Sequence, residues 1–349
     1  MKFLFKSLFT FFFFLLIGIC SWSQIPSGYY DNVQNLSGDD LRAELHNIIK
    51  EHTIISYDNL WSAFYYTDNI GNNKVWDMYS NCDFTFTTDK CGNYANICDC
   101  YNREHTVPKS WFGGTVSPMY SDLFHLTPVD GKVNGYRSNY PYGECASGTV
   151  YGTGKLGSCT FPSYSGTVFE PEDEYKGDLA RIYFYMATRY MDKVSSWDSP
   201  AFSGNNLSEW TIKLLLKWHR QDPVSQKEID RNNIIYSDYQ HNRNPFVDNP
   251  EWADMIWDSD YIPNYISSSK VYFDIYPNPT NDYLNVSFTQ CIKTEYILSI
   301  SDNSGRLIKS YVLKSNQENI DVSELSSGSY FIDLKTNNKS FVRQFFITK

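Results

Sequence analysis

A cluster of cysteines in the middle of the sequence most constrains what this chain can fold into. Four cysteines lie in a short polar run, and two more bracket a loop rich in Gly, Ser and Thr: Cys82, Cys91, Cys98, Cys100, Cys145 and Cys159. Their spacing contains no CxxC pair, so disulfides are favoured over a zinc knuckle. Clustered cysteines of exported proteins usually pair. We therefore predict irregular loops locked by disulfides, with proximity alone suggesting a Cys145–Cys159 bond and Cys291 left over.

The first residues predict that the chain is exported. Two lysines precede an apolar run, Leu8 to Ile19, that is too short and too close to the terminus for an ordinary membrane span. Ser21 and Ser23 supply the small residues that signal peptidase requires. We therefore predict a cleaved signal peptide over residues 1–23. No later segment is apolar enough to span a bilayer.

Apolar periodicity predicts a helical region in the middle of the chain and a different fold at its end. We expect helices over 36–50, 57–66, 174–191, 207–220 and 226–240. A strand or two is expected over Val75 to Phe86, sparse regular structure over 91–168, and no helix over His241 to Trp252. After Ser267 the chain changes to short alternating strands separated by turns, which predicts a small β-sandwich.

The expected fold class is therefore α+β. We divide the chain into a signal peptide (1–23), a mainly helical domain with disulfide-linked loops (24–266) and a β-sandwich (267–349). The formal net charge is −10 with a pI of about 5.1. The last segment carries nine Lys/Arg and eight Asp/Glu, so the acidity belongs to the middle domain. A wholesale basic surface is excluded, and nucleic-acid binding would need a local patch.

Two polar motifs in the loop region carry residues suited to phosphodiester hydrolysis. Glu104 and His105 are adjacent in the first, and the second contains Asn134 and Arg137. Imidazole suits a general base, whereas a carboxylate with an amide oxygen suits Mg²⁺. Because neighbouring residues of a strand point to opposite faces, Glu104 and His105 need a bend or an edge position to face one centre.

Alone, a Glu-His dipeptide is weak support for a site, and other catalytic signatures are missing. The sequence has no HExxH, no P-loop and no GxSxG. We interpret His125 as a hydrogen-bonded structural residue. The remaining histidines lack obvious partners and are treated as ordinary: His46, His52, His219 and His241.

Several blocks together resemble the endonuclease I family of secreted bacterial nucleases, over roughly Leu41 to Trp252. The blocks are Asn102-Arg-Glu-His-Thr-Val-Pro-Lys-Ser-Trp111, Asp122-Leu-Phe-His-Leu-Thr-Pro-Val-Asp-Gly-Lys-Val-Asn-Gly-Tyr-Arg-Ser-Asn139, Glu170-Pro171, Lys176-Gly-Asp-Leu-Ala-Arg181 and Asn242-Arg-Asn-Pro-Phe246. The resemblance implies a ββα-metal motif, in which a hairpin supplies the base and the following helix a metal ligand. It also implies sequence-independent hydrolysis of DNA to 5′-phosphate ends, with RNA left open as a second substrate.

Carried over by residue, the resemblance assigns a role to each motif. His105 would be the general base, and Glu104 and Asn134 would bind Mg²⁺, with Ca²⁺ or Mn²⁺ as candidate substitutes. Arg137 matches a family arginine, and we infer that it contacts the phosphate. On the same reasoning, two further residues are candidate contacts to the nucleic-acid backbone: Arg103 and Lys132. We expect a monomer.

The last eighty or so residues resemble the C-terminal sorting domain of the type IX secretion system. Its marks are Ile275-Tyr-Pro-Asn-Pro-Thr280, Asp302-Asn-Ser-Gly-Arg306, Leu325-Ser-Ser-Gly-Ser-Tyr330 and the ending Phe345-Phe-Ile-Thr-Lys349. This implies that the secretion machinery is a partner and that the protein is extracellular or on the cell surface. The alternative hypothesis is a non-catalytic extracellular module that binds nucleic acid or glycans. Intact Glu104, His105 and Asn134 favour the enzyme.

Overall fold

A computed structural model of the protein describes residues 25–259, 261, 273–288, 296–313, 317–335 and 340–349. The predicted signal peptide and Cys291 lie outside these residues. Chain contacts define two compact units, one built on His46–Asp248 and the other combining Asn32–Leu45 with the chain from Asn249 onward. Within the described ranges, no helix has both the length and the apolarity needed to cross a membrane.

Helices form where the apolar periodicity predicts them. Their bounds are α1 Gly38–Ile49, α2 Leu60–Thr67, α3 Gly131–Arg137, α4 Lys176–Arg189, α5 Glu209–Gln221, α6 Gln226–Ile234, α7 Pro245–Asp248 and α8 Glu251–Trp257. Every residue of α4 is buried, and α5 packs against it, so α4 is the central helix of its unit. Ser225 and Glu228 form a capping box that fixes the start of α6.

The prediction that His241 to Trp252 contains no helix is wrong, because α7 and the start of α8 lie there. Pro245 occupies the first position of α7, where proline removes no helical hydrogen bond. The Asn244 side chain accepts from the Phe246 amide, 3.0 Å away, and supplies the cap that the short helix needs. Polar and proline residues therefore start these helices instead of preventing them.

The first unit holds three small antiparallel arrangements. Its strands are β1 Tyr101–His105, β2 Leu126–Asp130, β3 Thr149–Tyr151, β4 Gly154–Ser158, β5 Thr167–Glu170, β6 Phe202–Ser203 and β7 Asn206–Leu207. β1 pairs with β2, β3-β4-β5 form a sheet, and β6 pairs with β7. The region 91–168 thus contains more strand than the sequence predicts. In contrast, the strand expected over Val75 to Phe86 is absent, since that segment makes only isolated bridges such as Lys74 with Thr85.

The C-terminal strands form two sheets around one core, as the alternating pattern predicts. They are β8 Phe273–Tyr276, β9 Tyr283–Phe288, β10 Tyr296–Asp302, β11 Leu307–Leu313, β12 Gln317–Asp321, β13 Gly328–Lys335 and β14 Ser340–Ile347. The sheet orders are β11-β10-β13-β14 and β12-β9-β8. Leu284 and Val286 from one sheet meet Leu298 and Ile332 from the other in the core. Sequence reasoning missed β8 and the polar strand β12.

Two disulfides confirm the prediction of cross-linked loops. They join Cys82 to Cys98 and Cys91 to Cys100, immediately before β1. The predicted Cys145–Cys159 bond is wrong, because both cysteines are free thiols. Their sulfurs turn towards different carbonyls: Cys145 Sγ lies 3.9 Å from the Lys155 oxygen, and Cys159 Sγ lies 3.8 Å from the Phe161 oxygen.

Candidate active site

The candidate site is built from the β1–β2 hairpin and the helix that follows it. In the hairpin, Glu104 pairs with Thr127 and His105 with Leu126. α3 begins at the residue directly after β2. Because no loop separates the two elements, the position of the helix is fixed by that of the strand. The hairpin and α3 therefore form one continuous support for the motifs that the sequence singles out.

Asp130 caps α3 and ties it to the disulfide-linked loop. One carboxylate oxygen accepts from the amides of Lys132 and Val133, at 2.8 and 2.9 Å, which satisfies two free donors of the first turn. The other oxygen accepts from the Cys98 amide at 2.6 Å. Asp130 also lies close to the sulfurs of Cys82 and Cys98, but those sulfurs are bonded to each other and offer no metal site.

Glycine is required at the start of α3 because a tyrosine ring covers it. A Cβ added to Gly131 would lie 2.5 Å from a ring carbon of Tyr94. Gly135, one turn later, faces the same ring at an ordinary contact distance of 3.4 Å. The two glycines around Asn134 weaken a helix prediction from sequence, but only Gly131 is required for this close packing.

Glu104 is almost fully buried, with 3% of its surface exposed. Its Oε1 accepts from the Tyr79 hydroxyl and from Arg137 Nη1, each at 2.7 Å. Burial raises the pKa of Glu104, while the charge of Arg137 and the two hydrogen bonds oppose that rise. These donors stabilise an ionised carboxylate in a place that would otherwise disfavour charge.

Arg137 does not present its guanidinium to solvent. It is fully buried, and beyond Glu104 it donates to the carbonyls of His105 at 3.0 Å and Thr106 at 2.7 Å. Its charged group also lies 4.4 Å from the centre of the Tyr142 ring. The structure thus places Arg137 as the partner of Glu104 and of the end of β1, and not as the phosphate contact that the sequence suggests.

The His105 ring lies in a stack of aromatic rings. Its Nε2 lies 3.0 Å from the Tyr120 carbonyl, and the rings of Tyr120 and Tyr57 stack near it at 5.3 and 5.8 Å. Because a carbonyl can only accept, the neutral ring carries its proton on Nε2 and keeps the lone pair on Nδ1. Burial, followed by the nearby His125, lowers the pKa of His105 to about 3, so the ring is neutral at neutral pH.

Asn134 on α3 contacts β1 one residue before Glu104. Its Nδ2 is 3.4 Å from the Arg103 carbonyl, one peptide away from Glu104. This contact turns the amide oxygen, Oδ1, to the opposite side. One carboxylate and one amide oxygen on adjoining elements are a donor set that fits a hard cation such as Mg²⁺, which takes few protein ligands and keeps several waters.

Of the two predicted backbone contacts, Arg103 is largely enclosed and Lys132 is accessible. The Arg103 guanidinium lies 3.7 Å from the Tyr57 ring centre and 4.4 Å from that of Trp61, and it donates to the Tyr57 carbonyl at 2.7 Å. Lys132 is half-buried on α3, above the Tyr136 ring at 5.1 Å.

Two exposed lysines that sequence reasoning missed also lie near the hairpin. Lys90 bridges to Tyr101 at the start of β1, and Lys109 follows the end of β1 and lies 5.6 Å from the Tyr120 ring centre. Among the described residues, no carboxylate forms an ion pair with Lys90, Lys109 or Lys132. Their charges are thus available to an anionic ligand.

His125 is a structural residue, as predicted. It is fully buried, and its Nε2 lies 2.6 Å from the Met119 carbonyl. The residues that sequence reasoning missed are partners of the predicted ones: Tyr79 and Tyr142 next to Glu104, and Asp77 beside Asp130. A buried tyrosine looks like any core aromatic residue in sequence, so only the fold reveals these contacts.

Comparison with known proteins gives two family matches. Residues 37–251 match the family model of Endonuclease I, and residues 274–348 match that of the secretion system C-terminal sorting domain. The extracellular ribonuclease of Bacillus subtilis (strain 168) is 40% identical over 237 residues, which cover 66% of this chain and 78% of that protein.

Two further relatives are more distant. The protein Endonuclease-1 of Buchnera aphidicola subsp. Baizongia pistaciae (strain Bp) is 34% identical, over 46% of this chain and 67% of its own. A periplasmic deoxyribonuclease of Aeromonas hydrophila is 26% identical, over 59% of this chain and 86% of its own.

Proposed function

We propose that this chain, which belongs to the endonuclease I family, is a secreted metal-dependent endonuclease with its centre at the β1–β2 hairpin and α3. The sorting domain identifies a protein that is secreted or displayed on the cell surface. The observation that carries the proposal is the contact of Asn134 Nδ2 with the Arg103 carbonyl, which holds the Asn134 amide against β1 one residue before Glu104 and leaves its oxygen free of that contact. The order strand, strand, helix supports a ββα-metal motif.

Glu104 and Asn134 would hold the metal ion through oxygen atoms. Members of the family depend on a metal in general, and we propose Mg²⁺, with Ca²⁺ or Mn²⁺ as substitutes. When bound, a divalent cation supplies Lewis-acid stabilisation of the charge that develops on the phosphate. Arg137 would act through Glu104, by keeping that carboxylate ionised and oriented.

His105 would take a proton from the attacking water. The Tyr120 carbonyl holds Nε2–H, so Nδ1 is the nitrogen that accepts the proton. The water oxygen then bonds to phosphorus and the bond from phosphorus to the 3′ oxygen breaks. The leaving 3′ oxygen takes a proton from a solvent water, so the products carry a 5′ phosphate and a 3′ hydroxyl, and His105 returns its proton to solvent. Stacking of Tyr57 and Tyr120 limits rotation of the imidazole, which keeps the base in one orientation.

We propose DNA as the substrate, with RNA as a second one. The names of the relatives include both an extracellular ribonuclease and a periplasmic deoxyribonuclease. Lys90, Lys109 and Lys132 would contact phosphates, because they surround the hairpin and have no ion-pair partner among the described residues. Arg103 would act mainly by supporting Tyr57. Contacts of this kind recognise the backbone and carry no sequence preference.

Replacing the base tests the proposal against the alternative of a non-catalytic binding module. His105→Ala should abolish nicking of supercoiled plasmid DNA, a loss of at least about a hundredfold, while anisotropy measures an unchanged affinity for DNA. His241→Ala is the control, since that histidine is exposed and its ring contacts the Tyr236 carbonyl in the helical turn that precedes it. Retained turnover in His105→Ala would mean that another group is the base.

A further inference from the structure

Three buried tyrosines enclose the Glu104–Arg137 pair. The Tyr79 hydroxyl lies 2.7 Å from Glu104 Oε1, and the Tyr142 hydroxyl is hydrogen-bonded to that of Tyr79. The Tyr183 hydroxyl donates instead to the Thr106 carbonyl, at 3.1 Å. The three tyrosines are equally buried, with 1%, 2% and 1% of their surfaces exposed, but they differ in whether they reach the carboxylate.

Counting protons gives the hydrogen bonds a direction. Oε1 of Glu104 already accepts from Arg137, so it acts as an acceptor towards Tyr79 as well. The single proton of Tyr79 is thereby committed to Glu104. The Tyr79 oxygen must then accept from Tyr142, whose own proton points to Tyr79. The result is a chain of donors that runs from Tyr142 through Tyr79 to Glu104, and donors in such a chain strengthen one another.

These hydrogen bonds restrict the orientation of the Glu104 carboxylate. Two donors converge on Oε1 from different directions, so the plane of the carboxylate cannot turn freely. Oε2 is the oxygen that neither Arg137 nor Tyr79 occupies. Partners that orient a ligand are typically worth about 10–100-fold in metal affinity.

We infer that Tyr79 and Tyr142 are positioning residues that set the metal affinity of this site by fixing the orientation of Glu104. The inference rests on the proposed role of Glu104 as a metal ligand. Tyr79 acts directly, and Tyr142 acts by holding the Tyr79 hydroxyl in the orientation that donates to Glu104. Tyr142 also lies under the Arg137 guanidinium, so its ring supports the second donor to the same oxygen.

The test measures Mn²⁺ binding to the full-length protein by calorimetry. Tyr79→Phe should weaken the Kd about tenfold, and Tyr142→Phe should weaken it by a smaller factor of about three. Tyr190→Phe is the matched control, because it also removes one buried hydroxyl, which donates to Asp122 at 2.8 Å and not to Glu104 or Arg137. It should leave the Kd within about twofold of the parent value. Nicking by Tyr79→Phe should recover towards the parent rate at saturating metal, since positioning affects binding before it affects the chemistry.

Equal Mn²⁺ affinities for Tyr79→Phe and Tyr190→Phe would overturn the inference while leaving the proposed function intact. If the proposed metal site itself is wrong, a different result is expected: Glu104→Gln would bind Mn²⁺ as tightly as the parent protein. Urea unfolding of each variant establishes that it is folded. If Tyr79→Phe does not fold, Tyr142→Phe decides, because it keeps the Tyr79–Glu104 bond and removes only the donor behind it.

Discussion

Glu104 brings a carboxylate into a nearly dry part of the protein, and its partners determine whether it stays charged there. Arg137 supplies the opposite charge and is itself fully buried, with its guanidinium committed to Glu104 and two β1-side carbonyls. An ion pair of this kind is costly to break from one side, because the remaining charge has no partner and no solvent.

Removing one member of the pair should therefore destabilise the protein strongly. Arg137→Met is expected to lower the free energy of unfolding by about 3–5 kcal/mol, measured by urea denaturation. The double variant Glu104→Gln with Arg137→Met should lose less, since it leaves no unpaired charge. A single variant as stable as the parent would show that the pair carries no such constraint.

For single residues, the sequence identifies the polar motif but does not predict which of its side chains are exposed to solvent. Glu104, His105 and Asn134 can be named from the motif. The sequence suggests that Arg103 and Arg137 face solvent as phosphate contacts. Both are enclosed, because Tyr57, Trp61 and Tyr142 surround them, and such partners come from distant parts of the chain.

Between elements, Asp122 joins the turn before β2 to the central helix. Its carboxylate accepts from the hydroxyls of Tyr185 and Tyr190, at 3.0 and 2.8 Å, and from Gln240 at 3.0 Å. Burial raises the pKa of Asp122, but the neighbouring His52 and His125 and these hydrogen bonds outweigh it, and the net shift is downward. The folded state therefore stabilises the ionised form.

Stability should depend on pH through Asp122 in a definite direction. Because its pKa is lower in the folded state, its contribution is present above the unfolded value of about 3.9 and is lost as the pH falls through the folded value. Asp122→Asn should cost about 3 kcal/mol at neutral pH. Urea unfolding should show this difference shrinking below about pH 4.

Asp83→Asn, whose carboxylate is mostly exposed, should show no comparable change with pH. A difference between Asp122→Asn and the parent protein that stayed constant down to strong acid would contradict the assigned shift.

Helices and strands could be predicted from the sequence where buried apolar residues recur with a helical or strand period. They could not be predicted where the buried residues are polar and are satisfied by hydrogen bonds. α4, α5 and α6 have apolar stripes, and the strands of the sorting domain alternate. β1 reads Tyr-Asn-Arg-Glu-His, which no strand pattern predicts, yet it is mostly buried because its polar groups are hydrogen-bonded. Cys145 and Cys159 are free thiols. Their closeness in sequence therefore did not predict whether they form a disulfide.

For the whole molecule, an acidic protein must bind a polyanion. The net charge is −10, so distant charges oppose binding, and the local lysines around the hairpin must overcome them. Lys90, Lys109 and Lys132 flank the hairpin on three different segments and carry local positive charge on an otherwise acidic protein. Affinity should then fall steeply with salt, because each phosphate contact releases counterions.

The salt dependence of DNA binding measures how many of these lysines contact phosphates. Replacing Lys90, Lys109 and Lys132 by Ala should reduce the slope of log affinity against log salt by about 2–3, measured by anisotropy with duplex DNA in EDTA. Lys213→Ala is the control, since Lys213 is exposed and paired with Glu209. An unchanged slope in the triple variant would place the binding surface elsewhere.

Metal dependence of cleavage tests the central claim most directly. Purified protein is incubated with supercoiled plasmid at low salt, in Mg²⁺ or in EDTA, and the ends of the products are analysed. The account predicts nicking in Mg²⁺, none in EDTA, recovery when Mg²⁺ is restored, and 5′-phosphate ends. Plasmid left intact in Mg²⁺, or cut equally well in EDTA, would contradict it.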